Sequence, residues 1–148
     1  MEVLVHSARP EEAAQICALM RGVIEPAVEP SLRESILDNV EANVAVWLRR
    51  PSECVHLVAV LQGSIVGVVL VKDFWNLCSL FVDPAHQRGG IGRALVEAAV
   101  GQCEGRSPKS ALLLNAYPDA VGFYERMGFT TRVPQSSVSG IQAMELAV

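Results

Sequence analysis

The sequence predicts one α/β (α+β) domain over residues 1–148, with a mixed, mostly antiparallel central sheet flanked by about four helices. Short apolar runs alternate with helical patterns along the chain. A two-residue turn, Gln62-Gly63, separates two apolar runs and predicts an antiparallel hairpin. Two later runs are separated by a helix of about a dozen residues, and such a crossover joins parallel strands.

The composition favours a globular protein over a disordered or fibrous one, because 51% of the residues are hydrophobic and 19% are charged. A net charge of -4 argues against a nucleic-acid partner, since phosphate contacts need a basic face. The four cysteines are scattered without metal-ligand spacing, so we expect reduced thiols and no metal site. No signal peptide or membrane-length apolar run is visible, which predicts a cytoplasmic protein without a membrane partner.

The first half of the chain predicts two helices between strands. Residues 3–5 predict a short first strand, and Pro10 begins a helix with an apolar face. Ser31 and Glu34 match a capping box and predict the start of a second helix that ends near residues 49–51. The hairpin strands follow, as CVHLVAVLQ and SIVGVVLVKD.

The second half predicts the crossover and the tail. A strand over residues 75–82 ends at Asp83-Pro84, and residues 110–116 form a wholly apolar, buried strand. A helix carries Phe123 and Tyr124 on its apolar face and ends at Gly128. The tail adds a strand after Phe129 and another over residues 141–148, joined by the polar turn PQSSVSG.

The glycine-rich stretch "DPAHQRGGIGRALVEAA" connects the first parallel strand to the crossover helix. Unpaired amides of a first helical turn favour an anion, and Gly89, Gly90 and Gly92 let a ligand approach the backbone. Arg88 and Arg93 add positive charge. A diphosphate is the ligand that this pattern favours, and a purely structural tight turn is the alternative.

Two common phosphate motifs do not fit the stretch. A dinucleotide fingerprint requires a third glycine where Leu95 stands, and it belongs to a βαβ unit that does not start this chain. The Lys-Ser/Thr pair of a nucleoside-triphosphate loop is also missing. The motif therefore indicates phosphate without indicating NAD or ATP.

Gln87-Arg-Gly-Gly-Ile-Gly92 fits the pattern Q/R-x-x-G-x-G/A, with LFVDP upstream and AVGFYERMGF downstream. In these motifs, in Asn115 and in the opening SARPEEAAQICALM, the sequence resembles the GNAT superfamily of acetyl-CoA-dependent N-acetyltransferases. The resemblance covers nearly the whole chain and is weakest in the first strand and over residues 22–50.

The resemblance implies that the strand before the loop bulges and splays from its parallel neighbour, leaving a gap for the pantetheine arm of acetyl-CoA. The backbone N–H of Leu80 would face the acetyl carbonyl. The cofactor-binding residues implied in this way are Leu80, Phe81, Val82, Gln87, Arg88, Gly89, Gly90, Ile91, Gly92, Arg93, Ala94, Asn115 and Tyr124. For Asn115, a role as a strand-end turn residue is the alternative.

The implied chemistry is attack of a neutral amine on a thioester. A backbone amide stabilises the oxyanion. Tyr124 holds the family's position for the general acid that protonates the thiolate, since a phenol can donate to a thiolate of pKa about 8.5. The alternative for Tyr124 is a core tyrosine with an exposed hydroxyl.

The general base and the acceptor are not identified by the sequence. Where some relatives carry a glutamate this chain has Asn76, which cannot take a proton, and Asp73, His56 and His86 are poorly placed to replace it. Glu25 and Glu29, expected between the first two helices, and Trp75 with Asn76 are the candidate substrate-binding residues. The two glutamates could bind a cationic substrate, and an acidic, aromatic rim suits a small-molecule or peptide amine, such as an amino acid or a polyamine.

Two other classes of protein stay open at this point. One is an acyl-CoA-binding sensor or regulatory domain without catalysis, which the missing glutamate favours. The other is an α/β domain whose glycine turn is structural. The sequence does not decide the acyl chain or the oligomeric state, and a homodimer is one possibility.

Overall fold

The structure is a computed structural model and describes residues 2–133 and 140–148. Its centre is a seven-stranded sheet in the order β1-β2-β3-β4-β5-β7-β6. The strands are β1 (Leu4–Ser7), β2 (Cys54–Leu61), β3 (Ser64–Lys72), β4 (Asn76–Val82), β5 (Ala111–Ala116), β6 (Thr130–Thr131) and β7 (Gln142–Ala147). The helices are α1 (Ala13–Ala27), α2 (Pro30–Arg49), α3 (Ile91–Cys103) and α4 (Pro118–Arg126).

The predicted mixed sheet is confirmed, with one parallel pair, β4 with β5, among antiparallel neighbours. The hairpin of β2 and β3 turns at Gln62 (φ 51°) and Gly63 (φ 80°), the two left-handed positions that a tight hairpin turn requires. Both tail strands are present and pair antiparallel. Most of the predicted PQSSVSG turn, residues 134–139, lies outside the described residues.

Three expectations for the first third of the chain are wrong in detail. The first strand lies one to two residues later than predicted. No side chain caps α2, because Pro30 at its first position starts the helix one residue before Ser31 and leaves the Ser31–Glu34 capping box unformed. Glu25 lies inside α1, which continues through Pro26, whereas Glu29 lies between the two helices as expected.

The sheet separates two apolar clusters. The α1/α2 cluster is centred on Ile16, Met20, Val44 and Trp47, which pack on Val58, Val68 and Leu70 of the sheet. The α3/α4 cluster contains Leu95, Leu112, Leu114, Tyr124 and Met144 on the opposite face. Helices cover both faces of the hairpin, which explains why the sequences of its strands are continuous apolar runs. Within the described ranges, no helix is long and apolar enough to cross a membrane.

Candidate functional site

Strands β4 and β5 meet at one position and then diverge. Asn76 pairs with Leu113, and the Leu113 N–H donates to the Trp75 carbonyl at 2.8 Å. Along the rest of β4 the described residues show no further pairing between these two strands. The divergence leaves a gap that widens toward the carboxyl ends of both strands.

A bulge in β4 lies next to this divergence. Leu70 of β3 pairs with Ser79, and Val71 pairs with Leu77, so Cys78 is an extra residue in β4. A bulge bends its strand and increases the local twist, which accounts for the departure of β4 from β5. Ser79 is buried at the bulge.

The edge of β4 that faces the gap offers unpaired backbone groups. The Asp83 N–H donates to the Val66 carbonyl of β3 at 2.8 Å. Since alternate residues direct their amides to opposite edges of a strand, the amides of Val82 and Leu80 face the gap and that of Phe81 faces β3. The Leu80 side chain meanwhile packs in the α3/α4 cluster. Backbone and side chain of Leu80 therefore serve different purposes.

The glycine loop closes the wide end of the gap. The Gln87 side-chain amide donates to the Val82 carbonyl at 3.1 Å and ties the loop to β4. Arg88 (φ 68°) and Gly90 (φ 83°) are both left-handed. Hydrogen bonding within α3 begins where the Ala94 N–H donates to the Gly90 carbonyl at 3.0 Å, so the amides of residues 91–93 have no acceptor inside the helix.

This loop fits a diphosphate on stereochemical grounds. Free amides at a helix N-terminus next to left-handed residues form a concave anion site. A Cβ atom at Gly89 would come no closer than 3.7 Å to the His86 carbonyl oxygen. At Gly92 it would lie 3.5 Å from the Phe123 ring, ordinary contact. Among these three positions the backbone favours glycine at Gly90, through its φ of 83°, whereas a Cβ at Gly89 or Gly92 would make only ordinary contacts.

Gly67 of β3 sets the position of α3, and sequence reasoning missed it. A Cβ atom there would lie 2.9 Å from Leu95 Cδ1 and 3.0 Å from Ile91 Cγ2. The first turns of α3 therefore pack directly against the backbone of β3 at Gly67. An isolated glycine within a strand pattern is the signal that could have found it.

The two arginines of the loop differ in their contacts. Arg93 pairs with Glu97 at 2.8 Å on the exposed face of α3. Exposed pairs of this kind contribute little to stability, yet they neutralise part of the charge that Arg93 would offer a phosphate. Arg88 is exposed and has no ion pair among the described residues. Arg88 is consequently the freer cation at the loop.

Tyr124 lies on α4 with 8% of its surface exposed. Its ring makes edge contacts with Phe123 and Phe129, at centroid distances of 5.1 and 5.4 Å. No described group hydrogen-bonds to its hydroxyl. Desolvation by burial raises the pKa of the phenol to about 12. Tyr124 is therefore protonated at every physiological pH.

A cavity of about 430 Å³ lies at the point where β4 and β5 meet. It brings together Trp75, Asn76 and Asn115, three of the predicted site residues. Its full lining is Trp75, Asn76, Lys109, Leu113, Leu114, Asn115, Arg132 and Ala143. Neither Glu25 nor Glu29 belongs to this lining. Glu25 instead lies 3.8 Å from Arg21 on the surface of α1.

The cavity and Tyr124 lie on opposite faces of the sheet. Leu113 and Asn115 alternate along β5 with Leu112 and Leu114, whose side chains pack with Tyr124 in the α3/α4 cluster. The side chains of Leu113 and Asn115 therefore point to the α1/α2 side.

None of the alternative bases lines the cavity. His56 packs edge-on against Trp47 at 4.2 Å, and burial lowers its pKa to about 4. Asp73 binds Arg50 at 3.0 Å, and His86 lies 3.8 Å from Asp83. In the part of the chain that the structure describes, no three His, Cys, Asp or Glu residues are grouped as metal ligands would be.

Comparisons with known proteins agree with this geometry. The model of the acetyltransferase (GNAT) domain family matches residues 37–148, so the chain belongs to the GNAT acetyltransferase family. Its relatives include the peptidyl-lysine N-acetyltransferase YjaB of Salmonella typhimurium, 28% identical over 87% of this chain and 84% of that one. The uncharacterized N-acetyltransferase YafP of Escherichia coli is 25% identical over 87% and 82%.

Solved structures share the whole fold. The PaiA N-acetyltransferase of Thermoplasma acidophilum, in complex with coenzyme A, superposes with a TM-score of 0.79 at 15% identity and covers all of both chains. A GNAT acetyltransferase of Brucella melitensis, in complex with acetyl-CoA, superposes with a TM-score of 0.70 at 21% identity, covering 99% of this chain and 88% of that one. The mixed sheet with its diverging parallel pair is thus the GNAT fold.

Proposed function

We propose that this protein is an acetyl-CoA-dependent N-acetyltransferase that acetylates a primary amine by direct attack. The observation that carries the proposal is the gap between β4 and β5. It has free amides along one edge, a loop with free amides that suits an anion at its wide end, a cavity on one face and Tyr124 on the other. Membership of the GNAT family and the cofactor complexes of two structural neighbours support it.

Acetyl-CoA would supply an activated acetyl group as a thioester. The amides of residues 89–93, with Arg88, would hold the diphosphate at the start of α3. Val82 and Leu80 would offer backbone hydrogen bonds to the arm, and Asn115 a side-chain amide across the gap. Gln87 and Phe81 are better suited to support this surface, because the Gln87 side chain is bound to β4 and the Phe81 amide faces β3.

The Leu80 amide would stabilise the oxyanion that forms during attack. It is a preorganised donor at the edge of a fixed strand, which costs no reorganisation when charge develops. A side chain is not needed for this task, which leaves Leu80 free to pack in the core.

The Tyr124 hydroxyl would donate to the departing sulfur. With a pKa of about 12 the phenol is a weaker acid than the thiol of coenzyme A, so complete proton transfer to the thiolate is uphill. We therefore assign Tyr124 as a hydrogen-bond donor that stabilises the developing thiolate, with the proton coming finally from the attacking amine through solvent.

The amine must lose its own proton before attack, and among the described residues the cavity lining contains no carboxylate or histidine to remove it. Water in the open cavity would carry this proton away. The same lack of a base is the observation that favours the second candidate, an acyl-CoA-binding sensor without turnover. The relative YjaB, a peptidyl-lysine N-acetyltransferase, supports catalysis on an amine.

Two measurements test the proposal. Calorimetric titration with acetyl-CoA should show binding that inorganic diphosphate weakens by competition. A thiol-release assay over a panel of small amines and lysine peptides should then show turnover. Binding without turnover on any amine would assign the sensor instead, and a lack of binding would exclude both.

A further inference from the structure

The cavity at the meeting point of β4 and β5 is cationic. Lys109 and Arg132 both line it, and the other six lining residues are uncharged. Lys109 lies just before β5 and Arg132 just after β6, so the two cations approach from different segments. Residues 134–139, which follow Arg132 closely in the sequence, include no Asp, Glu, His, Lys or Arg.

The two cations are only partly neutralised. Arg132 Nε lies 3.8 Å from a carboxylate oxygen of Glu145, a long contact between partly exposed side chains. Lys109 has no acidic partner within the described residues. Instead its ammonium lies 3.7 Å from the centre of the Trp75 ring, which holds the charge at the cavity wall. One full positive charge and part of another remain for a ligand.

We propose that the acceptor is a small amine that also carries a carboxylate, as a free amino acid does, and that Lys109 and Arg132 bind that carboxylate. This inference rests on the proposed function and specifies its substrate class. A plain cationic amine would be repelled by the same two side chains, since like charges at close range are unfavourable. The acidic surface of Glu25 and Glu29, which suggested a cationic acceptor, lies outside this cavity.

The cavity also explains how such an acceptor is held. Its carboxylate would accept hydrogen bonds from the guanidinium and the ammonium, both of which donate strongly to carboxylates. The side-chain amides of Asn76 and Asn115 are neutral donors and acceptors for the rest of the molecule, and Leu113 supplies apolar contact. Lys109 and Arg132 are therefore specificity-determining residues and take no part in bond making.

The test compares matched acceptors in the thiol-release assay. L-phenylalanine is set against its amide and phenethylamine, and glycine against glycinamide and methylamine. We expect kcat/KM to be at least tenfold higher for the carboxylated member of each set. The amides give the more decisive comparison, because their amino groups lose a proton more readily than those of the amino acids. A lower kcat/KM for an amide could therefore not be due to protonation of its amine.

Variants then assign the effect to residues. Lys109→Met and Arg132→Met should each lower kcat/KM for the carboxylated acceptor about tenfold, mainly through KM, and should narrow the preference over the amide. Lys109→Arg, which keeps the positive charge, should retain part of the preference for the carboxylated acceptor. Arg106→Met is the matched control, because Arg106 covers the Phe74 ring at 4.3 Å in the same way but lies outside the cavity, so the preference should not change.

The outcomes separate this inference from the proposed function. Turnover that favours amides, plain amines or neutral lysine peptides overturns the carboxylate preference and leaves the acetyltransferase intact. A preference that survives loss of both cations overturns the assignment of Lys109 and Arg132. Acetyl-CoA binding without turnover on any amine removes the proposed function, and this inference with it.

Discussion

Tyr124 combines a packed ring with a hydroxyl that is free for the proposed hydrogen bond to the thiolate. Its ring is held between Phe123 and Phe129, whereas its hydroxyl has no protein partner among the described residues. Burial keeps the phenol protonated, with a pKa of about 12. A donor of this kind acts by hydrogen bonding and does not titrate in the pH range of an assay.

Tyr124→Phe should therefore keep the fold and lower turnover. The ring contacts survive, so the free energy of unfolding should change by less than about 1 kcal/mol. Loss of a donor to the developing thiolate should reduce kcat about 10²-fold. The pH profile of the wild type should show no descending limb from Tyr124 below about pH 11, because its pKa is about 12. Near wild-type kcat with chemistry rate-limiting would remove Tyr124 from the mechanism.

The glycines of the loop can be separated by substitution. Gly92→Ala should fold normally, since its Cβ meets the Phe123 ring only at ordinary contact distance, yet acetyl-CoA binding should weaken at least tenfold. Gly90→Ala should instead lose about 1 kcal/mol of stability, because its φ of 83° suits only glycine.

Gly101→Ala, in the same helix with open space around it, is the control for both loop variants. It should gain stability, up to about 1 kcal/mol, without a change in affinity. Calorimetry and urea unfolding give both quantities for each variant. An unchanged affinity in folded Gly92→Ala would contradict the diphosphate assignment.

At the scale of elements, the site depends on how α3 lies on the sheet. Gly67 lets the first turns of α3 contact β3 directly, and Ile91 and Leu95 occupy the space of its missing side chain. The start of α3 carries the free amides, so a shift of a few tenths of an ångström moves the anion site.

Gly67→Ala should therefore weaken both stability and cofactor binding. Overpacking at this contact should cost about 1–3 kcal/mol, and the displaced helix start should lower acetyl-CoA affinity although residue 67 lies outside the loop. Gly22→Ala in α1, with no atom within 4 Å of its Cβ, is the matched control and should be neutral or stabilising. A destabilised Gly67→Ala variant with full affinity would limit Gly67 to packing.

At the scale of the whole molecule, His56 ties stability to pH. Burial lowers its pKa to about 4 in the folded chain, against about 6.5 when unfolded. As pH falls, the unfolded chain takes up the proton before the folded chain does. Neutral His56 therefore makes its full contribution to the free energy of unfolding above pH 6.5, and that contribution is lost as pH falls toward 4. The free energy of unfolding lost in this way is about 3 kcal/mol.

His56→Phe should remove that part of the acid sensitivity while keeping a ring against Trp47. Urea unfolding at pH 7.5 and pH 4.5 measures it, and the difference between the two pH values should shrink by about 2–3 kcal/mol relative to wild type. An identical difference in both proteins would mean that His56 is protonated in the folded state.

Much of the fold was predictable because its rules are local. The Gln62-Gly63 turn, the stop of α4 just before the left-handed Gly128 (φ 98°) and the crossover between β4 and β5 each follow from a few neighbouring residues. The glycine loop was also predictable, since the glycines that allow a left-handed backbone and the apolar pattern that starts the helix are adjacent in the sequence. The error at Ser31 was local as well, because Pro30 outweighed the capping box.

The chain by itself therefore determined the elements, the order of their connections and the loop that suits a diphosphate. Only the tertiary structure decided which distant side chains share the cavity proposed for the acceptor. Lys109 and Arg132 meet Trp75 and Asn115 there, while Glu25 and Glu29 stay outside. The physical reason is that patterns of spacing act over a helical turn or a strand pair, whereas a cavity forms where register, bulge and helix packing leave space between segments far apart in sequence.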